Sequence, residues 1–166
     1  MGNNETVEPI SDAERFARAA RFISVLRHCQ VLGISLVSAD ANGLVMMLPY
    51  APELVGNPIT GALHGGSLTT LMDTACGTAV VNALPGFELC PTLDLRVDYM
   101  RSARSGQNLL AHASVQRVTA SVVFADCRVV QADDGEVIAK CNATFMRLTH
   151  LQPANALATG IQGDNG

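Results

Sequence analysis

The stretch that decides the fold is Gly61-Ala-Leu-His-Gly-Gly-Ser-Leu-Thr-Thr-Leu-Met-Asp-Thr-Ala-Cys-Gly-Thr-Ala-Val80. Apolar residues recur in it at spacings of three and four, which predicts a helix from about Ser67 with one buried stripe. That stripe consists of Leu68, Leu71, Met72, Ala75 and Ala79. Gly65 and Gly66 stand where the helix starts. The first N–H groups of a helix have no intrahelical partner, and glycines leave them open to a carbonyl oxygen or an anion.

A single acidic residue interrupts this helix. Asp73 shares a second helical face with Thr69, Thr70 and Gly77. A carboxylate within an apolar helix costs free energy unless it has partners or a task. Each feature has an ordinary explanation by itself. The glycines could form a flexible helix entry, His64 could be a hydrogen-bonded loop residue, and Asp73 could be a solvated helix position. Their combination, with the acid nine residues after the histidine, favours a functional site.

The segments before the central helix predict one helix and two strands. Ser11 or Asp12 can cap a helix that runs to about Cys29. Two β-rich runs follow, at 33–40 and 43–49, and the Asn-Gly pair between them is typical of a hairpin turn. Residues 50–62 are expected to form a loop that leads into the central helix.

The segments after the central helix predict strands alone. The helix should end near Ala83, and strands are predicted at 92–101, 108–118, 121–132 and 136–148. In the first of these strands two sets of side chains alternate, Thr92, Asp94, Arg96 and Asp98 against Leu93, Leu95 and Val97. One set should pack on the helix, and the charged set should meet solvent or another subunit. Five or six strands with one buried helix predict an α+β fold, an antiparallel sheet wrapped around the helix.

Composition indicates one domain of 166 residues, with a flexible N-terminus at 1–11 and a disordered tail at 150–166. Because 48% of the residues are hydrophobic and 16% charged, some apolar surface is expected between subunits. A net charge of −4 without a basic run argues against nucleic acid. No segment predicts a membrane span or a signal peptide, and five scattered cysteines without a C-x-x-C pair fit the reducing cytoplasm.

The step Leu63-His64-Gly65-Gly66, with Asp73 after it, resembles the signature of the PaaI-like acyl-CoA thioesterases of the hotdog fold. The segment 92–103 resembles the family's strand after the helix, and the likeness covers roughly residues 15–148. It implies a single hotdog domain at 12–149 that hydrolyses acyl-CoA thioesters. No cofactor or metal is expected, because coenzyme A is part of the substrate.

Helix geometry indicates how such a site would be assembled. Gly65 and Asp73 are eight residues apart, or roughly 12 Å along a helix. An oxyanion donor and an attacking group must both lie about 3 Å from the reacting centre, so one helix cannot supply both. Two antiparallel copies can, which places the site at a homodimer interface, as the resemblance also implies. We expect these dimers to pair into a dimer of dimers, a homotetramer.

The resemblance assigns roles to the residues that match it. The Gly65 N–H would donate to the substrate carbonyl, with Gly66 helping, as an oxyanion hole. Asp73 would act as a general base on water or as a nucleophile, and the sequence leaves both routes open. His64 would orient the loop or polarise the carbonyl. Thr92 matches a position where relatives carry a Ser or Thr that helps hold the catalytic water.

Further residues are candidates for binding the substrate. Many relatives place an Asn six residues before the histidine; Pro58 stands there in this chain, which leaves Asn57 next to it as a candidate. The remaining substrate-binding candidates are Thr69, Thr70 and Gly77 on the Asp73 face and, for the CoA phosphates, Arg101, Arg104 and Arg117.

Three other functions remain possible on this fold. They are a non-catalytic acyl-CoA or lipid sensor, a hydratase or dehydratase, and a structural dimerisation module. A sensor would not need Asp73, and a hydratase would carry its His and Asp in a different arrangement. Hydrolase elbows of the G-x-S-x-G type and phosphate-binding glycine loops do not occur in the sequence. Asp73 in register with His64 therefore favours a thioesterase.

Overall fold

The computed structural model describes residues 10–148. The predicted flexible N-terminus and disordered tail lie outside the described residues, except for residues 10 and 11. The elements in chain order are α1 Asp12–Ser24, α2 Arg27–Leu32, β1 Ser35–Asp40, β2 Gly43–Leu48, a 3-10 turn Pro52–Leu54, β3 Val55–Asn57, β4 Ala62–Leu63, α3 Gly65–Ala83, β5 Thr92–Tyr99, β6 Leu109–Val118, β7 Val122–Gln131 and β8 Val137–Met146.

Six antiparallel strands form one sheet in the order β1-β2-β6-β7-β8-β5, and the long helix α3 packs across its inner face. This α+β architecture confirms the predicted fold. Residues of α3 that face the sheet are fully buried, as are the strand residues opposite them. They include Leu71, Met72, Ala75 and Val80 on the helix and Met46, Ala111, Val123 and Phe145 on the strands.

The predicted first helix is wrong at its C-terminal end, because it is two helices. Ser11 caps α1 as expected, and its side chain and that of Glu14 form a capping box. The helix then ends at Ser24, and Leu26 adopts an extended backbone before α2 starts. The break lets both Leu26 and the buried Cys29 pack against the core.

The predicted loop at 50–62 contains a 3-10 turn and the two short strands β3 and β4, which pair with each other. These strands are only three and two residues long, so no alternation of apolar and polar residues could indicate them. The pair ends directly before α3, and the His64 N–H donates to the Leu54 carbonyl at 2.7 Å. The small sheet therefore fixes where the chain enters the central helix.

A β-bulge changes the predicted faces of β5. Thr92 lies opposite Phe145 and Asp94 opposite Thr144, so Leu93 is an extra residue that is 54% exposed. Thr92 therefore lies on the inner face beside the helix, whereas the alternation had placed it with the charged residues. Beyond the bulge the prediction holds. Leu95 and Val97 pack against the core, and on the outer face Arg96 pairs with Asp98 at 3.2 Å.

Within residues 10–148 no helix combines the length and the apolar character needed to cross a membrane.

The packing of α3 on the sheet predicts a large asymmetry between two phenylalanines on neighbouring strands. Phe145 is 1% exposed under α3, whereas Phe124 is 42% exposed on the outer face. We expect Phe145→Ala to lower the free energy of unfolding by about 3–5 kcal/mol, because it leaves a cavity in the core. Phe124→Ala should cost less than about 1 kcal/mol. Urea denaturation of both variants measures the difference, and equal losses would contradict this account of the core.

Candidate active site

His64 begins the central helix. Its Nδ1 accepts the Gly66 N–H at 2.9 Å, and its carbonyl accepts the Ser67 N–H at 3.0 Å. The helix therefore starts at Gly65, two residues before the predicted start, because the imidazole caps it. A neutral imidazole that accepts at Nδ1 carries its proton on Nε2. The exposed His64 side chain thus orients the helix entry.

The two glycine amides at the helix start differ in availability. The Gly66 N–H is engaged by His64, whereas the Gly65 N–H has no hydrogen-bond acceptor among residues 10–148. A free N–H at the positive end of a helix dipole is the donor that an oxyanion hole requires. The geometry thus favours Gly65 over Gly66 as the donor.

Tyr99 at the end of β5 binds the first turn of α3. Its hydroxyl donates to the Gly65 carbonyl at 2.8 Å and lies 2.6 Å from the Thr69 hydroxyl. The Tyr99 ring lies so close to Gly65 that a Cβ added there would be 3.2 Å from it. Sequence reasoning missed Tyr99. The available signal was its position seven residues after Thr92, at the other end of a strand that runs beside the helix.

Asp73 and Thr92 meet at the opposite end of β5. The Thr92 hydroxyl donates to Asp73 Oδ1 at 2.8 Å, and Asp73 is half-buried. The bulge at Leu93 makes this contact possible, since it turns Thr92 towards the helix. The structure thus brings together two residues that the sequence proposed separately.

Comparison with known proteins identifies the family. Residues 60–138 match the family model described as the Thioesterase superfamily. An unconfirmed esterase of Halobacterium salinarum is 41% identical over 106 residues, which cover 62% of this chain and 69% of that protein. The medium/long-chain acyl-CoA thioesterase YigI of Escherichia coli is 30% identical over 131 residues, which cover 70% of this chain and 83% of that protein. The chain belongs to the thioesterase superfamily.

Solved structures of other proteins share the fold of this chain. A crystal structure from Pseudomonas aeruginosa has 48% identity and a TM-score of 0.73, covering 81% of this chain and 99% of that one. The structure of Escherichia coli PaaI has 20% identity and a TM-score of 0.75, and the match covers 84% of this chain and 96% of that one. The resemblance inferred from the His-Gly-Gly step, and the hotdog fold with it, are confirmed.

A cleft of about 370 Å³ opens beside Gly65 in this thioesterase-superfamily chain. Its walls are mixed polar and apolar; they comprise Ala62, Leu63, Leu68, Tyr99, Met100, Arg101, Ser102 and Ala103. Arg101 is ion-paired with Glu136 at 2.7 Å. A larger cleft of about 510 Å³ lies on the outer face of the sheet, and none of the predicted site residues lines it.

The other two predicted phosphate partners lie elsewhere. Arg104 contacts Asp133 at 2.8 Å and Asp134 at 2.7 Å, and the hydrogen bond with Asp134 raises the pKa of its guanidinium. Its charge is thereby compensated. Arg117 is exposed on β6, opposite Phe124, and the strands β7 and β8 lie between it and β5.

The remaining binding candidates have structural partners. The Asn57 side chain accepts the Ile59 N–H at 3.0 Å and so stabilises the β3–β4 turn. Thr70 donates to the Gly66 carbonyl at 3.1 Å within the first turns of α3. Gly77 lies under the Phe145 ring, where a Cβ would be 3.5 Å from it. Their binding roles stay predictions.

The capping contact of His64 predicts a specific response to Gly66→Ala. The new Cβ would lie 2.9 Å from His64 Nδ1, so the imidazole must shift, and we expect its bond to the Gly66 amide to be lost. Loss of the cap and gain of helix propensity offset each other, so stability should change by less than about 1 kcal/mol. The imidazole ¹⁵N shifts of His64 should report an unbonded Nδ1. Gly86→Ala is the control, because nothing lies within 4 Å of its Cβ; equal spectra would contradict the cap.

Proposed function

We propose that the protein hydrolyses acyl-CoA thioesters to a free acid and coenzyme A, at a site built by two copies of the chain. One observation carries the proposal: the same helix of a thioesterase-superfamily chain presents a Gly65 N–H without an acceptor among residues 10–148 and, further along, an Asp73 carboxylate that accepts from Thr92. The acyl-CoA thioesterase activity named for the Escherichia coli relative supports the substrate class.

The strand β5 supports the shared site. It is an edge strand of eight residues, and three large apolar residues are exposed in it or directly after it: Leu93, Tyr99 and Met100. An open edge of this kind is suited to pairing with another chain. Thr92 beside Asp73 and Tyr99 beside Gly65 mark its two ends. If β5 pairs antiparallel with its own copy about its midpoint, Thr92 of each protomer lies opposite Tyr99 of the other.

This pairing would bring Asp73 of one protomer towards Gly65 of its partner, which one chain cannot do across roughly 12 Å of helix. Each dimer would then hold two equal sites. We further propose that dimers associate into a dimer of dimers, as expected for this family.

The chemistry follows from these placements. The thioester carbonyl accepts the Gly65 N–H, which stabilises the oxyanion as the carbonyl carbon is attacked. Asp73 either takes a proton from the attacking water or attacks the carbon itself to give a mixed anhydride that water then hydrolyses. In both routes the C–S bond breaks, and coenzyme A leaves as a thiolate that takes up a proton. The Thr92 hydroxyl holds the carboxylate in position.

The cleft beside Gly65 is the proposed site for the substrate chain. Its mixed lining, with Met100 on the apolar side and Arg101 and Ser102 on the polar side, suits a pantetheine chain, which carries both methylene and amide groups. Of the three candidate arginines, Arg101 alone lines this cleft. Its guanidinium pairs with one carboxylate, Glu136, but stays exposed, so Arg101 is our choice for a CoA phosphate.

A substitution at Asp73 tests the proposed chemistry. Asp73→Asn should lower kcat by a hundredfold or more on any acyl-CoA that the wild type hydrolyses, because the neutral amide can neither take a proton nor attack. Release of free thiol from a panel of acyl-CoAs measures this. Asp126→Asn is the control, since Asp126 bonds Ser114 on the outer face. A wild type that binds acyl-CoA without releasing thiol would instead support the sensor function.

Mixing two inactive variants tests whether the site is shared between two chains. Gly65→Pro removes the donor N–H at the first helical position, where proline is favoured, and Gly65→Ala adds a comparable Cβ but keeps the N–H. Gly65→Pro alone and Asp73→Asn alone should be inactive. Refolded together, half of the dimers are mixed, and each mixed dimer contains one intact site.

The mixture should therefore regain about one quarter of the wild-type activity per site. Activity that stays at the level of the separate variants would show that Gly65 and Asp73 act within one chain. Gly65→Ala that is as inactive as Gly65→Pro would show that the Cβ, and not the lost N–H, abolishes turnover.

A further inference from the structure

We infer that Tyr99 is a positioning residue of this site: its hydroxyl fixes the peptide next to the oxyanion donor and so keeps the Gly65 N–H aimed at the substrate carbonyl. This inference rests on the proposed function. It concerns a residue that the His-Gly-Gly step does not include and that lies on a different element of the fold.

Two consecutive glycines make the donor conformationally free. Glycine loses more backbone freedom on folding than any other residue, and a pair of them leaves the first turn of α3 with few side-chain restraints. An oxyanion hole is effective because its donor is oriented before the reaction, so the donor peptide must not rotate. External contacts therefore have to fix the two peptides that flank Gly65.

The structure fixes three of the four polar atoms of these peptides. The His64 carbonyl accepts both the Ser67 N–H at 3.0 Å and the Ser67 hydroxyl at 2.7 Å. The Gly66 N–H is bonded to the His64 imidazole, and the Gly65 carbonyl accepts from Tyr99 at 2.8 Å. The atom left over is the Gly65 N–H, the proposed donor.

Tyr99 is the one long-range contact in this set, since His64 and Ser67 are neighbours in the chain. Thr69 reinforces it, because its hydroxyl lies 2.6 Å from the Tyr99 hydroxyl and 3.2 Å from the Gly65 carbonyl. The Tyr99 ring also packs against Gly65, with its atoms 3.2–3.3 Å from the position of a Cβ. Tyr99 thus connects the donor to β5, the strand that carries Thr92 and the proposed dimer edge.

The experiment compares the two tyrosines of the chain. Tyr99→Phe keeps the ring and removes the hydroxyl, and Tyr50→Phe is the matched control, because the Tyr50 hydroxyl bonds Ser105 instead. In the free protein we expect the Gly66 amide of Tyr99→Phe to exchange with solvent about tenfold faster than in the control. In turnover we expect kcat to fall about tenfold with KM changed by less than about threefold.

The two readouts separate the possible failures. If the wild type hydrolyses no acyl-CoA, the proposed function fails, and amide exchange still tests whether Tyr99 fixes the peptide. Equal Gly66 exchange in both variants overturns the inference. A rise in KM with kcat unchanged also overturns it, because Tyr99 would then bind substrate. Thr69→Val removes the supporting hydroxyl while leaving Tyr99 intact, and should shift exchange and kcat in the same direction by a smaller factor.

Discussion

Burial of one helix against one sheet face is the constraint on which the rest of this structure depends. Leu71, Met72, Ala75 and Val80 are fully buried, so a rotation or axial shift of α3 on the inner face would expose apolar side chains or open voids. Once the helix is fixed, β5 runs beside it with opposite direction. Its first residue meets Asp73 and its last residue meets the helix start, so both halves of the proposed chemistry are positioned by the same packing.

The sequence predicts the helices and strands well because apolar residues recur in each of them at a spacing typical of that element. The buried stripe of α3, the hairpin at Asn42-Gly43 and the four long strands after the helix are visible as spacings of apolar residues. The features that the sequence does not predict leave no regular spacing of apolar residues. The break at Leu26, the bulge at Leu93 and the short strands β3 and β4 are single-residue or tertiary events. The bulge matters most, since simple alternation places Thr92 on the wrong face.

The residues of the candidate site likewise divide into those that the sequence predicts and those that it does not. His64, Gly65 and Asp73 lie within ten residues of one another in the sequence, so their spacing predicts them together. Tyr99 acts on Gly65 from 34 residues away, and only the pairing of strand and helix reveals it. The arginines show the converse: in sequence they are equivalent, but Arg104 is compensated by two carboxylates brought to it by the β7–β8 turn. Arg101 has one such carboxylate, Glu136, so tertiary contacts decide how far each charge is compensated.

A rigid helix that carries both the oxyanion donor and the carboxylate also determines how the proposed activity depends on assembly. The two groups keep a fixed separation of roughly 12 Å within one chain, so no side-chain rotation can bring them to one thioester. A second antiparallel copy resolves this without distorting either helix. Association would then complete the site as well as stabilise the fold. Catalysis and dimerisation would share one surface, the edge of β5 between Thr92 and Tyr99.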